Sequence, residues 1–191
     1  VLIEPGELPV LHIHRALVFP DDRTLRRMQV VLAPEDDGAF TFEVHSSPPA
    51  EGAGPLREDW TLHASGQVAP RTGSFVPDTV DLDTLRKSFA DHPLSPDEIY
   101  QREREREIDL GPLFQVTARL WHRGPEALAH IVLGPVTAAE TGRHRVHPVL
   151  LEACFLALTV TYPEKLGRRT YVPLGADRIR IGAGTAGGEA W

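Results

Sequence analysis

The chain has 191 residues, of which 41% are hydrophobic and 25% are charged, and its formal net charge of −7 argues against a nucleic-acid surface. A single cysteine excludes a disulfide scaffold or a cysteine-based zinc site, and it fits a reducing, cytoplasmic compartment. No apolar run is long enough to span a membrane, so the class that remains is a globular chain of one domain or two small ones.

The first seventy residues are predicted to form four strands of an antiparallel sheet. Residues 9–19 alternate between two faces with the period of two that is typical of a half-buried strand. Further strands are predicted at 25–33, 39–45 and 59–69, because loops rich in Pro, Gly, Asp and Ser separate these segments.

Helical signals begin after residues 70–81, a segment with little periodicity that is interpreted as a linker. Asp83 is a candidate N-cap for a short helix. Ser95, Pro96 and Glu98 form a capping box, and the helix that they open is predicted to run to about Ile108. Its charges recur at helical neighbour spacing, which indicates a solvated face with the pairs Glu98–Arg102, Arg102–Glu105, Glu103–Arg106 and Arg104–Glu107.

Strands resume at 113–122 and 126–133, and a loop is predicted over 134–146. A helix that is apolar on all sides, with Glu152 as its one carboxylate, follows at about 148–162 and is expected to be buried all round. A closing strand is predicted at 170–181. A long buried helix wrapped by antiparallel strands is the hot-dog arrangement, and the segregated strands indicate the α+β class.

Glu152 is the strongest candidate for chemistry. A carboxylate in an apolar helix is costly to ionise unless it is paired, so its pKa should be raised. A carboxyl with a raised pKa can act as a general acid at neutral pH. The alternative is a glutamate near the surface that the helix N-terminus stabilises, and periodicity alone leaves both open.

Several histidines and the cysteine are further candidates. His12 and His14 share a strand face, but no third ligand lies nearby in the sequence, so a metal site is not predicted. His63 is compatible with the core or with a site, and His147 is interpreted as a structural residue at a helix start. Cys154 lies within the apolar helix and is predicted to be buried and inert.

Several stretches, in order along the chain, resemble the dehydratase domain of modular polyketide synthases, which is related to that of animal fatty acid synthase. His147–Ala153 resembles the family's His-Pro-x-Leu-Leu-Asp-Ala segment on the central helix of the second hot dog. Leu110–Gln115 is similar to its Tyr-Gly-Pro-x-Phe-Gln motif, and Tyr171–Leu174 resembles its Tyr-Leu-Pro-Phe element. Trp60–Gly66 and Arg15–Pro20 match strands of the first hot dog.

The resemblance implies a double hot-dog fold that is incomplete at both ends. Residues 1–70 would be the remainder of the first hot dog, 71–93 a linker, and 94–191 the second hot dog with its central helix. It also implies a cytoplasmic synthase in which an acyl carrier protein and neighbouring domains are partners and a homodimer is possible, with no nucleic acid or membrane partner.

The implied reaction removes water from a β-hydroxyacyl thioester held on the phosphopantetheine arm of an acyl carrier protein. In the family a His removes the α-proton and a carboxylic acid on the central helix protonates the departing hydroxyl, without an intrinsic metal or redox cofactor. Glu152 stands at the acid's position. The resemblance implies as substrate-binding residues Leu110, Gly111, Pro112, Phe114, His147, Pro148, Leu156, Tyr171 and Pro173.

The chain departs from the family's pattern at several of these positions. The family's His-x-x-x-Gly-x-x-x-x-Pro motif is expected upstream of the chain, and neither His12 nor His14 matches it. The acid is Glu152 rather than Asp, Leu156 stands where the family has Gln or His, and Leu110 replaces a Tyr. A double-bond isomerase or cyclase on the same fold, or a non-catalytic scaffold or docking domain, therefore stays open beside the dehydratase.

Overall fold

The computed structural model describes residues 6–49, 59–70, 80–89, 92–140, 144, 146–162, 169–180 and 188–191. The chain divides into two compact units. Unit 1 comprises Val1–Phe75 and Pro173–Gly182, and unit 2 comprises Val76–Val172 and Ala183–Trp191. Among the described residues, no helix is long and apolar enough to cross a membrane.

Each unit contains one antiparallel sheet, and the described α-helices belong to unit 2. Within the described ranges the elements in chain order are β1 (Gly6–Ile13), β2 (Arg27–Pro34), β3 (Phe40–Ser47), β4 (Thr61–Pro70), α1 (Leu82–Ser88), α2 (Pro96–Arg104), β5 (Thr117–Arg123), β6 (Glu126–Val132), α3 (Pro135–Glu140), α4 (Pro148–Thr159), β7 (Gly175–Ala176), β8 (Ile179–Arg180) and β9 (Glu189–Ala190).

Unit 1 is an antiparallel sheet with the strand order β2-β3-β4-β1-β7, in which β8 also pairs with β1. The four predicted strands are therefore confirmed. Gly66 lies in β4 between the backbones of β1 and β3. A Cβ at this position would lie 2.3 Å from the carbonyl oxygen of Val10 and 2.8 Å from Cε1 of Phe42, so a side chain does not fit.

The first strand ends earlier than predicted, at Ile13, next to the place where β4 bulges in its pairing with β3. The β3–β4 register pairs Val44 with Ala64 and His45 with Leu62, and so passes over His63. The carbonyl oxygen of His63 accepts the backbone N–H of His14 at 2.8 Å. The predicted strand over 9–19 is wrong beyond Ile13, since the chain leaves the ladder here.

The predicted strand over 170–181 is also wrong, because only two short pieces pair with β1. The register places Leu11 opposite Ala176 and Leu8 opposite Ile179. By the same register Arg178 faces Pro9, which has no N–H to donate to the ladder. The missing donor accounts for the break between β7 and β8.

Unit 2 packs α2 and α4 with the sheet β5-β6-β9. In the turn between β5 and β6, Gly124 adopts a φ of 57°, a conformation that glycine favours. The buried apolar residues that form the core are Ile99, Tyr100, Val116, Leu120, Ala129, Ile131, Leu133, Val149, Leu150, Ala153 and Leu156.

Side chains cap the N-termini of α1 and α2, but the residue that caps α1 differs from the predicted one. Asp81, not Asp83, is the N-cap of α1, and its side chain accepts the N–H groups of Asp83 at 3.1 Å and Thr84 at 3.2 Å. The predicted capping box of α2 is present: the Ser95 hydroxyl accepts from the Glu98 N–H, and the Glu98 carboxylate accepts from the Ser95 N–H.

The end of α2 is a Schellman turn rather than the predicted continuation to Ile108. The N–H of Glu107 donates to the carbonyl of Arg104 at 3.0 Å, and the N–H of Ile108 donates to the carbonyl of Glu103 at 3.0 Å. Glu107 has a φ of 64°, in the left-handed region that this position requires and that glycine usually supplies.

Two further segments differ from the predictions. The strand predicted from residue 113 starts at Thr117, because Pro112–Phe114 forms one turn of 3-10 helix closed by a 2.9 Å bond from the Phe114 N–H to the Gly111 carbonyl. The predicted loop over 134–146 contains α3, which Pro135 opens at a first helical position that needs no N–H.

The last helix, α4, is buried on one side only. Its buried residues are Val149, Leu150, Ala153 and Leu156. On the other side Leu151 is 42% exposed and Leu158 is 51% exposed. The prediction of burial all round is wrong for the described part of the chain, since a uniformly apolar pattern does not tell which face other elements cover.

Candidate functional site

Glu152 lies in the second turn of α4 and is half-buried. His147 is the N-cap of this helix and Pro148 its first residue, so Glu152 is the fifth helical position. Burial raises the pKa of the Glu152 carboxyl, and the negative charge of Glu103 raises it further. A raised pKa is the direction that the general-acid interpretation requires.

A buried polar cluster lies beside the same helix. Glu103 on α2 is 4% exposed, and its Oε1 accepts hydrogen bonds from the Arg106 guanidinium at 3.0 Å and from the Thr159 hydroxyl at 3.0 Å. The second amino group of Arg106 donates to the carbonyl of Thr159 at 3.3 Å. The predicted Glu103–Arg106 pair is present, but the interpretation of this stripe as a solvated face is wrong for Glu103.

A cavity of about 270 Å³ opens at the start of α4. His147 is buried there, its Nδ1 accepts the N–H of Val149 at 3.3 Å, and its Nε2 lies 3.7 Å from a carboxylate oxygen of Glu140. This geometry puts the imidazole proton on Nε2. The cavity is lined by Leu113, Phe114, Thr137, Glu140, His144, His147, Pro148 and Val149.

The cavity unites three of the predicted substrate-binding residues, namely Phe114, His147 and Pro148. The others lie elsewhere. Leu156 is 3% exposed and belongs to the core, and Tyr171 contacts Tyr162 edge-on. Leu110 is half-buried and packs against the core. Gly111 caps the 3-10 turn and Pro112 is its first residue, and both are exposed. Pro173 is an exposed residue of unit 1.

Two of the other candidate histidines, His14 and His63, hold hydrogen bonds within unit 1. His14 contacts the Ser65 hydroxyl at 2.8 Å, and its ring centre lies 6.2 Å from that of exposed His12. His63 is buried, with Nε2 at 2.7 Å from the Ser46 hydroxyl and Nδ1 at 2.9 Å from the Arg15 carbonyl oxygen. The described residues contain no group of three His, Cys, Asp or Glu side chains that could hold a metal ion.

Cys154 corrects another prediction. The residue is exposed on the open side of α4, although neighbouring atoms bury its thiol enough to raise its pKa. It borders a groove of about 520 Å³ between α4 and the β6–β9 edge of the sheet, which Leu150, Leu158 and Trp191 also line. A thiol with a raised pKa is less ionised, so the prediction of low reactivity has support although the burial does not.

The sequence did not single out three residues of these sites. Glu103 belongs to the predicted charged stripe, and its burial has no signal in the sequence beyond its spacing to Arg106. Glu140 falls in the predicted loop over 134–146. Thr159 is a polar residue in a largely apolar helix, which is the pattern that a hydrogen bond to a buried partner produces.

Comparisons with known proteins agree on the class of this chain. The family model described as "Polyketide synthase dehydratase N-terminal domain" matches residues 77–191. The pikromycin polyketide synthase component PikAII of Streptomyces venezuelae is 31% identical over 177 residues, which cover 92% of this chain and 5% of that protein. Mycoketide-CoA synthase of Mycobacterium tuberculosis is 31% identical over 156 residues, covering 82% of this chain and 4% of that protein.

Solved structures give the same fold. The dehydratase domain from the CurK module of curacin polyketide synthase superposes with a TM-score of 0.80 at 23% identity, covering 98% of this chain and 62% of that chain. A dehydratase domain of a trans-AT polyketide synthase from Brevibacillus brevis gives a TM-score of 0.79 at 19% identity, with coverage of 94% and 60%. The chain thus spans about three fifths of these domains.

The antiparallel sheets and the helix α4 therefore define an α+β protein of the double hot-dog fold, as predicted. The chain belongs to the polyketide synthase dehydratase family.

Proposed function

We propose that this chain is part of a dehydratase that removes water from a β-hydroxyacyl chain on an acyl carrier protein and leaves an enoyl thioester. One observation carries the proposal: Glu152, at the position of the family's acid, is a half-buried carboxyl whose pKa burial and Glu103 raise. A carboxyl with a raised pKa keeps its proton to a higher pH than usual, and in that form it can donate the proton to a leaving hydroxyl.

In the proposed reaction the α-carbon loses a proton to a base and the bond between the β-carbon and its hydroxyl breaks. Glu152 donates its proton to the departing oxygen, so that water leaves and the electron pair of the former C–H bond forms the double bond. The base belongs to the family's histidine motif. The described histidines do not match that motif, and His63 and His147 are each engaged by hydrogen bonds through Nδ1.

We propose that the substrate binds in the cavity at the start of α4, which is lined by residues of the stretches Leu110–Gln115 and His147–Ala153. Phe114 and Pro148 offer apolar surface, and His147 fixes the helix start. The phosphopantetheine arm of the carrier would deliver the chain, and we propose no intrinsic cofactor. Relatives that are polyketide synthases support neighbouring synthase domains as partners. We propose that the assembly is cytoplasmic. A homodimer is part of the same proposal.

Two residues favour a different activity on the same fold. Leu156, one turn after Glu152, is buried in the core and offers no hydrogen bond to the carboxyl, and Leu110 supplies no hydroxyl. An isomerase or cyclase would need a different proton transfer, and a scaffold or docking domain would need none. A scaffold would leave the 3-hydroxyacyl substrate unchanged, and an isomerase would move the double bond of an enoyl substrate.

The test uses the full-length protein with a 3-hydroxyacyl chain on its acyl carrier protein and mass spectrometry of the carrier-bound product. The wild type should release one water per chain, and Glu152→Gln should lower the rate by about 10²–10⁴-fold. Glu43→Gln, at an exposed glutamate of unit 1, is the control and should keep the rate. Unchanged substrate with folded wild type would support the scaffold, and a migrated double bond in an enoyl substrate would support the isomerase.

A further inference from the structure

His147 and Glu140 lie next to each other at the cavity at the start of α4, which both residues line. His147 is 7% exposed, and its Nε2 lies 3.7 Å from Oε2 of Glu140, which is too long for a hydrogen bond. Because Nδ1 accepts the N–H of Val149, Nε2 carries the proton, and no acceptor among the described residues lies within hydrogen-bond distance of it. A donor and a carboxylate therefore stand side by side at the cavity without bonding each other.

A hydroxyl is the group that satisfies both side chains. Its oxygen accepts from Nε2 and donates its proton to the carboxylate, and one oxygen can lie about 2.8 Å from both atoms because these are 3.7 Å apart. An ammonium has no lone pair to offer Nε2, and a carboxylate has no proton to give Glu140 and repels its charge. A trans amide carries its N–H and its carbonyl on opposite sides, so it does not bridge two atoms this close.

The rest of the cavity suits a hydrocarbon chain. Its volume of about 270 Å³ is at the low end for ligand cavities, so it holds a stretch of chain rather than a whole ligand. His144, which is exposed, contacts the His147 ring edge-on with ring centres 5.0 Å apart. The apolar lining residues are Leu113, Phe114, Pro148 and Val149.

Helix geometry gives the distance between this cavity and the proposed acid. Pro148, which lines the cavity, precedes Glu152 by four residues, which is about 6 Å along α4 and nearly the same face. Side chains on a helix lean toward its N-terminus, so the Glu152 side chain leans toward the end where the cavity lies. An extended chain advances about 1.2 Å per bond, so this distance corresponds to about five bonds.

We propose that His147 and Glu140 form a subsite for a second hydroxyl of the acyl chain, beyond the β-carbon that Glu152 serves. Counted from the thioester carbon, the distance of about five bonds places this hydroxyl at about carbon 7. His147 donates to it through Nε2, and Glu140 accepts its proton. The subsite thus selects chains by whether this carbon carries a hydroxyl, and the inference rests on the proposed role of Glu152 as the acid.

The experiment compares two carrier-bound chains of equal length with the full-length protein. One chain has hydroxyls on carbons 3 and 7, and the other has a hydroxyl on carbon 3 only. The measured quantity is the ratio of kcat/KM for loss of the 3-hydroxyl. The wild type should prefer the dihydroxy chain about 10–100-fold, because the other chain leaves the imidazole N–H and the carboxylate of the subsite without a partner.

Two variants assign this preference to the pair. Glu140→Ala removes the acceptor, and His147→Ser removes the donor while a serine at the N-cap can still accept an N–H of the first helical turn. Each should lose most of the preference, whereas a merely structural role would lower the rate on both chains alike and keep the ratio. Glu43→Gln, at the exposed glutamate 2.9 Å from His45 in unit 1, is the matched control and should keep the ratio.

A wild type that does not distinguish the two chains would overturn the inference, and this result needs no variant to fold. Full preference in a folded Glu140→Ala or His147→Ser protein would overturn it as well. Failure of the proposed function looks different: Glu152→Gln would keep the wild-type rate, or neither chain would lose water. Without turnover, the dissociation constants of the two carrier-bound chains decide, because the subsite should still bind the dihydroxy chain more tightly, and equal constants would overturn the inference.

Discussion

His63 and Ser46 join two neighbouring strands through a buried hydrogen bond of 2.7 Å at the point where β4 bulges. The other ring nitrogen of His63 contacts the Arg15 carbonyl oxygen at 2.9 Å, so one side chain connects β3, β4 and the segment after β1. This residue was compatible with either the core or a site from the sequence alone. The structure gives it a role in holding the sheet.

Ser46→Ala should therefore destabilise unit 1, because it leaves a buried imidazole nitrogen without a partner. We expect a loss of about 1–3 kcal/mol in the free energy of unfolding. Urea denaturation with hydrogen exchange in β3 and β4 measures it. Ser65→Ala, which removes the hydroxyl next to exposed His14, is the matched control and should change stability little. Equal effects of the two substitutions would contradict this role of His63.

Glu107→Gly should stabilise the protein. Glu107 has a φ of 64° in the Schellman turn that ends α2, a conformation that costs an L-residue about 1 kcal/mol relative to glycine. Thermal unfolding should show a higher Tm for Glu107→Gly. Glu107→Ala removes the same side chain without relieving the backbone, so a gain of the same size in that variant would show that the side chain, not φ, is responsible.

Gly66→Ala should destabilise the sheet of unit 1 by about 1–3 kcal/mol, because the added methyl would overlap the Val10 carbonyl oxygen and the Phe42 ring. Gly111→Ala is the matched control, since nothing lies within 4 Å of a Cβ at that position. Chemical denaturation of both variants gives their free energies of unfolding, and so tests whether β1 and β3 leave no room for a side chain at position 66. Full stability of Gly66→Ala would mean that β1 and β3 can move apart at no cost.

Glu152→Gln should become more stable relative to the wild type as the pH rises. The folded-state pKa of Glu152 lies above its unfolded value of about 4.3, so the folded state binds the proton more tightly. The wild type therefore loses stability as the pH rises from the unfolded pKa through the folded one, and the glutamine variant lacks this loss. Unfolding free energies of both proteins across that interval measure the difference, and a constant difference would contradict the raised pKa.

Local rules predicted much of the fold. The alternating residues before His14 and the capping box of Ser95 and Glu98 act through near neighbours, and the structure has both. The closing strand failed because its pairing depends on Pro9, a residue more than 160 positions away in the chain. The first strand ends beside His63, a residue about 50 positions further along the chain, so its end was not visible in the local pattern either.

The candidate site was also predictable only in part, because contacts between residues far apart in the sequence leave no local pattern. Glu152 was found because a carboxylate in an apolar helix is conspicuous in the sequence. Glu103 was not found, because exposed and buried glutamates have the same spacing to a nearby arginine. Its burial follows from contacts with Thr159 on another helix, and a uniformly apolar helix does not reveal which side is covered.

The central claim is that Glu152 protonates the departing hydroxyl, and a change of leaving group tests it most directly. We would compare elimination from a 3-hydroxyacyl and a 3-fluoroacyl thioester by the full-length wild type and Glu152→Gln, with product measured by mass spectrometry. Fluoride needs less proton assistance to leave than hydroxide, so the variant should lose activity on the hydroxy substrate and keep most of it on the fluoro substrate. Equal losses on both substrates would contradict the assignment of Glu152 as the acid.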